Sequence, residues 1–150
     1  MRNYLIIISF IFFSSCGYSP IYKNLSSSDF FIEIGSITGE QVINNTIINK
    51  LNTISNIESK NKIILEIKTQ YNKAIITKDK KGNPSTFKLN ASSEIKINYK
   101  SKLKNISISR SSNLQNSNDS FDTEIYERNI KESFGADIIN ELLTELHSLK

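Results

Sequence analysis

The sequence predicts a two-layer α+β domain: a four-stranded, mostly antiparallel sheet with two helices on one face, in the order β-α-β-β-β-α. Three observations carry that expectation. Apolar residues recur at helical spacing in two separate stretches, 43–54 and 130–146. Between them the period changes to two and holds through long runs. In those runs one face is apolar and the other polar, whereas a sheet covered on both sides reads as continuous apolar segments.

The elements follow in order. Phe30, Phe31, Ile32, Glu33 and Ile34 read as a short strand ended by Gly35. Thr38 then opens a helix, with Gln41 three residues on completing a capping-box pattern. Ile43, Ile47, Leu51 and Ile54 form its apolar stripe, widened by Val42 and Ile48, and Asn56 marks the exit. From Lys62 the chain alternates. Ile63, Leu65, Ile67 and Tyr71 share one face; Ile64, Glu66, Lys68 and Gln70 share the other. Asp79, Lys80, Lys81, Gly82, Asn83 and Pro84 are turn chemistry and reverse the chain. The next strand has the longest alternation: Phe87, Leu89, Ala91, Ser93, Ile95, Ile97 and Tyr99 against Lys88, Asn90, Ser92, Glu94, Lys96, Asn98 and Lys100. Ile106 and Ile108 continue it in a fourth strand.

The polar stretch 113–122 reads as a mobile loop, and a long helix follows over 123–148. Asp122, Glu124 and Glu127 lie near its start, where the macrodipole favours acids. Ile130, Phe134, Ile138, Leu142 and Leu146 form its stripe, with Ile139 and Leu143 beside them. Gly135 costs this helix about 1 kcal/mol relative to Ala; close approach of helix to sheet would account for it. A crossover joins the first two strands and a meander the last three. Both helices then cover the dry face.

The amino terminus has its own pattern. Met1, Arg2 and Asn3 supply a positive start, and residues 4–13 are nearly all apolar. Spanning a bilayer as a helix takes ~20 apolar residues, so this run has the length of a secretory signal. Ser14 and Ser15 follow, then Cys16, the only cysteine of the chain. A hydrophobic run, a small pair and a cysteine is the pattern that lipoprotein processing reads: the thiol receives diacylglycerol and the chain is cut before it. An ordinary signal with a chance cysteine, or an uncleaved anchor, would share part of the pattern. The expected organisation is a signal peptide over 1–15, a lipid anchor at Cys16 with a polar tether over 16–29, and one α+β domain over 30–150. Gly17, in place of Asp, points to the outer membrane, with the domain on the periplasmic side.

Composition narrows the rest. The 150 residues allow one compact core. The formal charge of +4 falls to +3 once Arg2 leaves, and it is spread along the chain, which argues against nucleic acid. With one cysteine there is no internal disulfide. A metal cluster cannot be built from His147 and a lipidated Cys16, His147 suits the end of a helix, and the carboxylates form no acid–base pair. The expectation is a chain that is not an enzyme and carries no cofactor.

After Cys16 come Gly17, Tyr18, Ser19, Pro20, Ile21 and Tyr22. This opening resembles the Cys-Gly-aromatic-x-Pro-aliphatic-Tyr start of the lipopolysaccharide (LPS)-assembly lipoprotein family, LptE, in its alphaproteobacterial form. Tyr126, Glu127, Gly135, Ala136, Asp137 and Ile138 resemble that family's small-residue-rich final helix. The resemblance implies an anchor in the outer membrane and a β-barrel partner, LptD, for which such proteins act as plug and folding partner. It also implies assistance in delivering lipopolysaccharide to the cell surface. A second function from another class, an auxiliary lipoprotein of a lipid-transporting ABC system, shares the anchor and the strand–helix–strand layout.

Lipopolysaccharide carries phosphates, so cations that protrude are its candidate contacts. Lys78, Lys80 and Lys81 crowd the hairpin tip; Lys96, Lys100, Lys102 and Lys104 surround the next turn; Arg110 is the only arginine on the strands. The plainer reading, solvated cations that keep a sheet soluble, is favoured for both lysine groups and more so for Arg110.

Overall fold

A computed structural model describes residues 30–117 and 119–149. The expected signal peptide, lipidation site and tether lie outside these residues. The elements are β1 (Phe31–Thr38), α1 (Gln41–Ile54), β2 (Lys62–Lys78), β3 (Pro84–Tyr99), β4 (Lys102–Gln115) and α2 (Ser120–His147). The sheet order is β1-β2-β3-β4, with β1 parallel to β2 and the other pairs antiparallel. The architecture is the α+β layout that the alternating runs predicted.

Three boundaries differ from expectation, each for a local reason. Gly35 does not end β1. Ile34 pairs with Leu65 and Ser36 with Glu66, so Gly35 is the extra residue of a bulge and the strand continues to Thr38. A Cβ there would lie 3.1 Å from Ile64 Cγ2.

Thr38 is therefore the last strand residue and not the helix cap. Gly39 makes the corner at φ +107°, where a Cβ would fall 1.8 Å from the Thr69 carbonyl oxygen. Glu40 caps α1 instead, its carboxylate accepting from the Ile43 N–H at 2.8 Å.

The third boundary is the polar stretch after Ile108. Asn113, Leu114 and Gln115 are strand, paired with Lys88, Phe87 and Thr86. Leu114 keeps the alternation and is buried, which outweighs its polar neighbours. The loop shrinks to a few residues, and α2 starts at Ser120 behind the cap Asp119. Thr123, expected to open the helix, is buried in its first turn; its hydroxyl accepts from the Ser117 N–H at 3.0 Å.

The core lies between the sheet and the helices, as the stripes require. Ile43, Ile47 and Leu51 of α1 meet Ile63, Leu65 and Ile67 of β2, Leu89, Ile95 and Ile97 of β3, and Ile138 and Leu142 of α2 in one cluster. Complete burial of such a side chain contributes roughly 1.5–3 kcal/mol. Gly135 serves a different contact from the one expected. A Cβ on it would lie 2.7 Å from Thr46 Cβ and 3.1 Å from the Ile43 carbonyl oxygen. The missing side chain lets α2 approach α1, not the sheet.

Candidate functional site

The sheet outlasts its helical cover. β1 pairs with β2 only as far as Lys68, while β2 continues to Lys78 and β3 runs beside it throughout. Where the apolar layer thins, the covered face turns polar. Tyr71 and Lys73 continue the inward alternation of β2, and a charge on a covered face needs a partner. Glu127 of α2 provides it: the Tyr71 hydroxyl donates to one carboxylate oxygen at 2.8 Å, and Lys73 Nζ lies 2.6 Å from the other. Lys131, one turn further along α2, is 3.4 Å from Glu127 and 3.3 Å from Glu40. It also sits over the Tyr71 ring, 4.2 Å from the centroid.

These groups shift one another. Burial, then the hydrogen bond to Glu127, raises the Tyr71 phenol above its ordinary 10.0. Burial alone would raise Glu127, but hydrogen bonds from Lys73 and Tyr71 and the nearby lysine charges outweigh it, and its carboxyl titrates below 4.5. The cluster ties α2 to β2 and to the start of α1. Each of its donors faces a stabilised carboxylate, an arrangement that holds protons in place.

The expected site residues separate. Lys78, Lys80 and Lys81 are exposed at the β2–β3 turn. Asp79 organises that turn, accepting from the Asn83 N–H at 2.9 Å and the Lys81 N–H at 2.8 Å. The Asn83 backbone bond holds its carboxyl below the usual range. Lys96 is on the outward face, 3.4 Å from Glu66. Lys100, at φ +49°, lies over the Tyr99 ring, and Lys102 is exposed at the start of β4. Lys104 and Arg110 point the other way, towards α2. Lys104 Nζ is 2.6 Å from Glu145, and Arg110 donates to Glu141 at 2.5 Å with Asp137 at 4.0 Å. Lys78, Lys80 and Lys81 thus cluster at one end of the sheet and Lys100 and Lys102 at the other, while Lys104 and Arg110 bind the helix to β4.

The outward face between those ends is polar but largely uncharged. Gln70, Asn72, Asn90, Ser92, Ser109 and Ser111, with Tyr71, Ala91 and Arg110 between them, line an open groove of about 440 Å³. Cross-strand pairing brings Gln70, Ser92 and Ser109 into one row and Asn72, Asn90 and Ser111 into the next. Short side chains here, flanked by Lys68, Glu94 and Lys88, leave the depression. Amides and hydroxyls both donate and accept, so this surface can hydrogen-bond groups of either polarity.

Sequence reasoning missed the Glu127 cluster. Its signal was there: Lys73 and Tyr71 share the phase of Ile63, Leu65 and Ile67, and Glu127 and Lys131 are one turn apart. Which acid meets which base across the core is not written in either segment alone.

No family model matches this chain, and no curated protein matches it in sequence. Solved structures do match in fold. Rare lipoprotein B from Shewanella oneidensis superposes with a TM-score of 0.58 at 12% identity, covering 78% of this chain and 98% of that one. A candidate lipoprotein from Caulobacter crescentus gives 0.53 at 11% identity, covering 79% and 89%. An uncharacterized lipoprotein B from Nitrosomonas europaea gives 0.49 at 16% identity, covering 79% and 83%.

Proposed function

We propose that this chain is an outer-membrane lipoprotein of the LPS-assembly type. It is anchored through Cys16 on the periplasmic side, acts as plug and folding partner of the barrel LptD, and assists delivery of lipopolysaccharide to the cell surface. Its work is recognition and scaffolding, with no covalent step. The observation that carries the reading is the fold, shared with a bacterial lipoprotein, rare lipoprotein B from Shewanella oneidensis, over 98% of that chain. The opening at Cys16, Gly17, Tyr18, Pro20 and Tyr22 supports it from the sequence.

The outward face suits the role. A barrel lumen is polar and wet, and the groove around Asn72 and Asn90 offers amides and hydroxyls where an ordinary docking face would offer apolar side chains. The inward pairing of Lys104 and Arg110, and that of Lys96 with Glu66, leave the tip lysines Lys78, Lys80 and Lys81 as protruding candidates for lipopolysaccharide phosphates. The test is a pull-down of the full chain from detergent-solubilised envelope, with captured partners identified by mass. A very large barrel is the expected partner. Recovery of an ATPase or permease instead would replace this reading with an auxiliary role in a lipid-transporting ABC system, and recovery alone would refute the barrel.

A further inference from the structure

We infer that the end of the domain from which the tether departs is a membrane-docking surface, seated on phospholipid that carries anionic headgroups. The inference rests on the lipoprotein reading and adds to it where the domain sits. Phe30, the first described residue, is held at this end: its carbonyl accepts from the Asn56 N–H at 3.0 Å, and its ring meets Tyr99 edge-on at 5.5 Å. Residues 16–29 reach at most about 50 Å when fully extended, so an anchored domain stays close to the bilayer. What this end displays decides whether it touches.

Two aliphatic side chains stand out from it. Ile57, next to the Phe30 contact, is 83% exposed, and Leu103, paired with Asn98 beside the β3–β4 turn, is 74% exposed. They lie on opposite sides of the sheet, with Phe30 and Tyr99 between them. Around them are the exposed lysines Lys60, Lys100 and Lys102, with Glu58 as the exposed acid beside Ile57. Lys62 and Lys104 are at the same end, paired with Glu33 and Glu145. Lys100 is presented by a tight turn in which it and Ser101 both have positive φ. Aliphatic prongs within a ring of lysines match an interface where acyl chains begin and anionic headgroups surround them. The other large exposed apolar side chains among the described residues, Ile75, Ile76, Phe121, Ile125 and Tyr126, belong to the opposite half, about 40 Å away along β4.

The test uses the full chain purified from membranes, with Leu103→Cys in one variant and Phe121→Cys in another. Lipid on the sulfur of Cys16 leaves the introduced cysteine as the only free thiol, and it is labelled with an environment-sensitive dye. The proteins are placed in vesicles of equal parts phosphatidylethanolamine and phosphatidylglycerol. A blue shift and strong quenching by brominated acyl chains are expected at position 103, and water-like emission without quenching at 121. Adding Ile57→Asp and replacing Lys100 and Lys102 with Ser should abolish the shift at 103. High salt should weaken it, because the Debye length falls from ~10 Å at 0.1 M to ~3 Å at 1 M. Equal emission and equal quenching at the two positions would overturn the docking surface. Intact mass of the same samples separates the two ideas: an unmodified Cys16 overturns the lipoprotein reading itself.

Discussion

Glu127 is the residue on which the polar half of the covered face converges. It takes a hydrogen bond from Tyr71, an ion pair from Lys73 and another from Lys131. Hydrogen bonds to a charged group contribute roughly 1.5–3 kcal/mol each when a partner is removed, so Glu127→Gln should cost about 2 kcal/mol at neutral pH, read by denaturant unfolding. The pH dependence has a defined sign. The folded carboxyl titrates below its ordinary 4.5, so its stabilisation is complete above that value and is lost as pH falls through the depressed pKa. The difference between wild type and Glu127→Gln should therefore shrink on acidification. Tyr71 is raised, which places its contribution below pH 10 and removes it as the solution becomes more alkaline. Tyr71→Phe, which cannot ionise, should lose the alkaline limb; a variant that kept it would show that the phenol is not its source.

Two contacts between elements make similarly direct predictions. Gly135 sits where a Cβ would be 2.7 Å from that of Thr46. Gly135→Ala gains helix propensity of about 1 kcal/mol but overpacks the α1–α2 contact, at a cost of roughly 1–3 kcal/mol. Net destabilisation is expected, and Thr46→Gly on the same background should return part of it. Non-additivity in that double-mutant cycle is the decisive reading. At the β3–β4 turn, Lys100 and Ser101 both occupy left-handed backbone, the conformation of a two-residue hairpin turn that favours Asn-Gly. Ser101→Gly should raise the melting temperature by a few degrees.

The elements themselves were largely legible in the sequence, because a face that must be dry writes its period into the chain. Ile63 to Ile67 and Leu89 to Ile97 are buried on the phase their alternation required. Legibility failed where local chemistry had two meanings. Glycine at position 35 signals a strand end or a bulge with equal force, and Thr38 resembles a cap until Gly39 is seen to make the corner. Asn113 to Gln115 looked like loop by composition, yet cross-strand pairing with Thr86, Phe87 and Lys88 holds them in β4. The inward turn of Lys104 and Arg110 follows from the phase of Ile106 and Ile108, but their acidic partners lie 27 to 41 residues away.

At the scale of the whole molecule, charge is divided by direction. Ion pairs with α2 consume the inward-pointing Lys73, Lys104 and Arg110, and the turn lysines Lys78, Lys80 and Lys81 are separated from Lys100 and Lys102 by the length of β2, about 50 Å. One ligand headgroup cannot bridge them. Replacing Lys78, Lys80 and Lys81 with Ser should leave stability nearly unchanged, since none is in an ion pair among the described residues. If the tip meets lipopolysaccharide, the same replacement should weaken binding and flatten its salt dependence; unchanged binding would remove the tip from the contact. The sequence already set these two groups at successive turns; what it did not show is that Lys104 and Arg110 are drawn inward by acids of α2.

The route of the chain through the fold has a practical corollary. It enters at Phe30 beside Tyr99, and its last described residue, Leu149, follows Ser148, whose hydroxyl lies 3.5 Å from Lys104 Nζ at that same end. An affinity tag or fluorescent reporter fused after Leu149 would therefore crowd the end at which Phe30 enters the domain. Gly82, with open space around it at the far tip, marks the place where a short inserted epitope would remain accessible to an antibody.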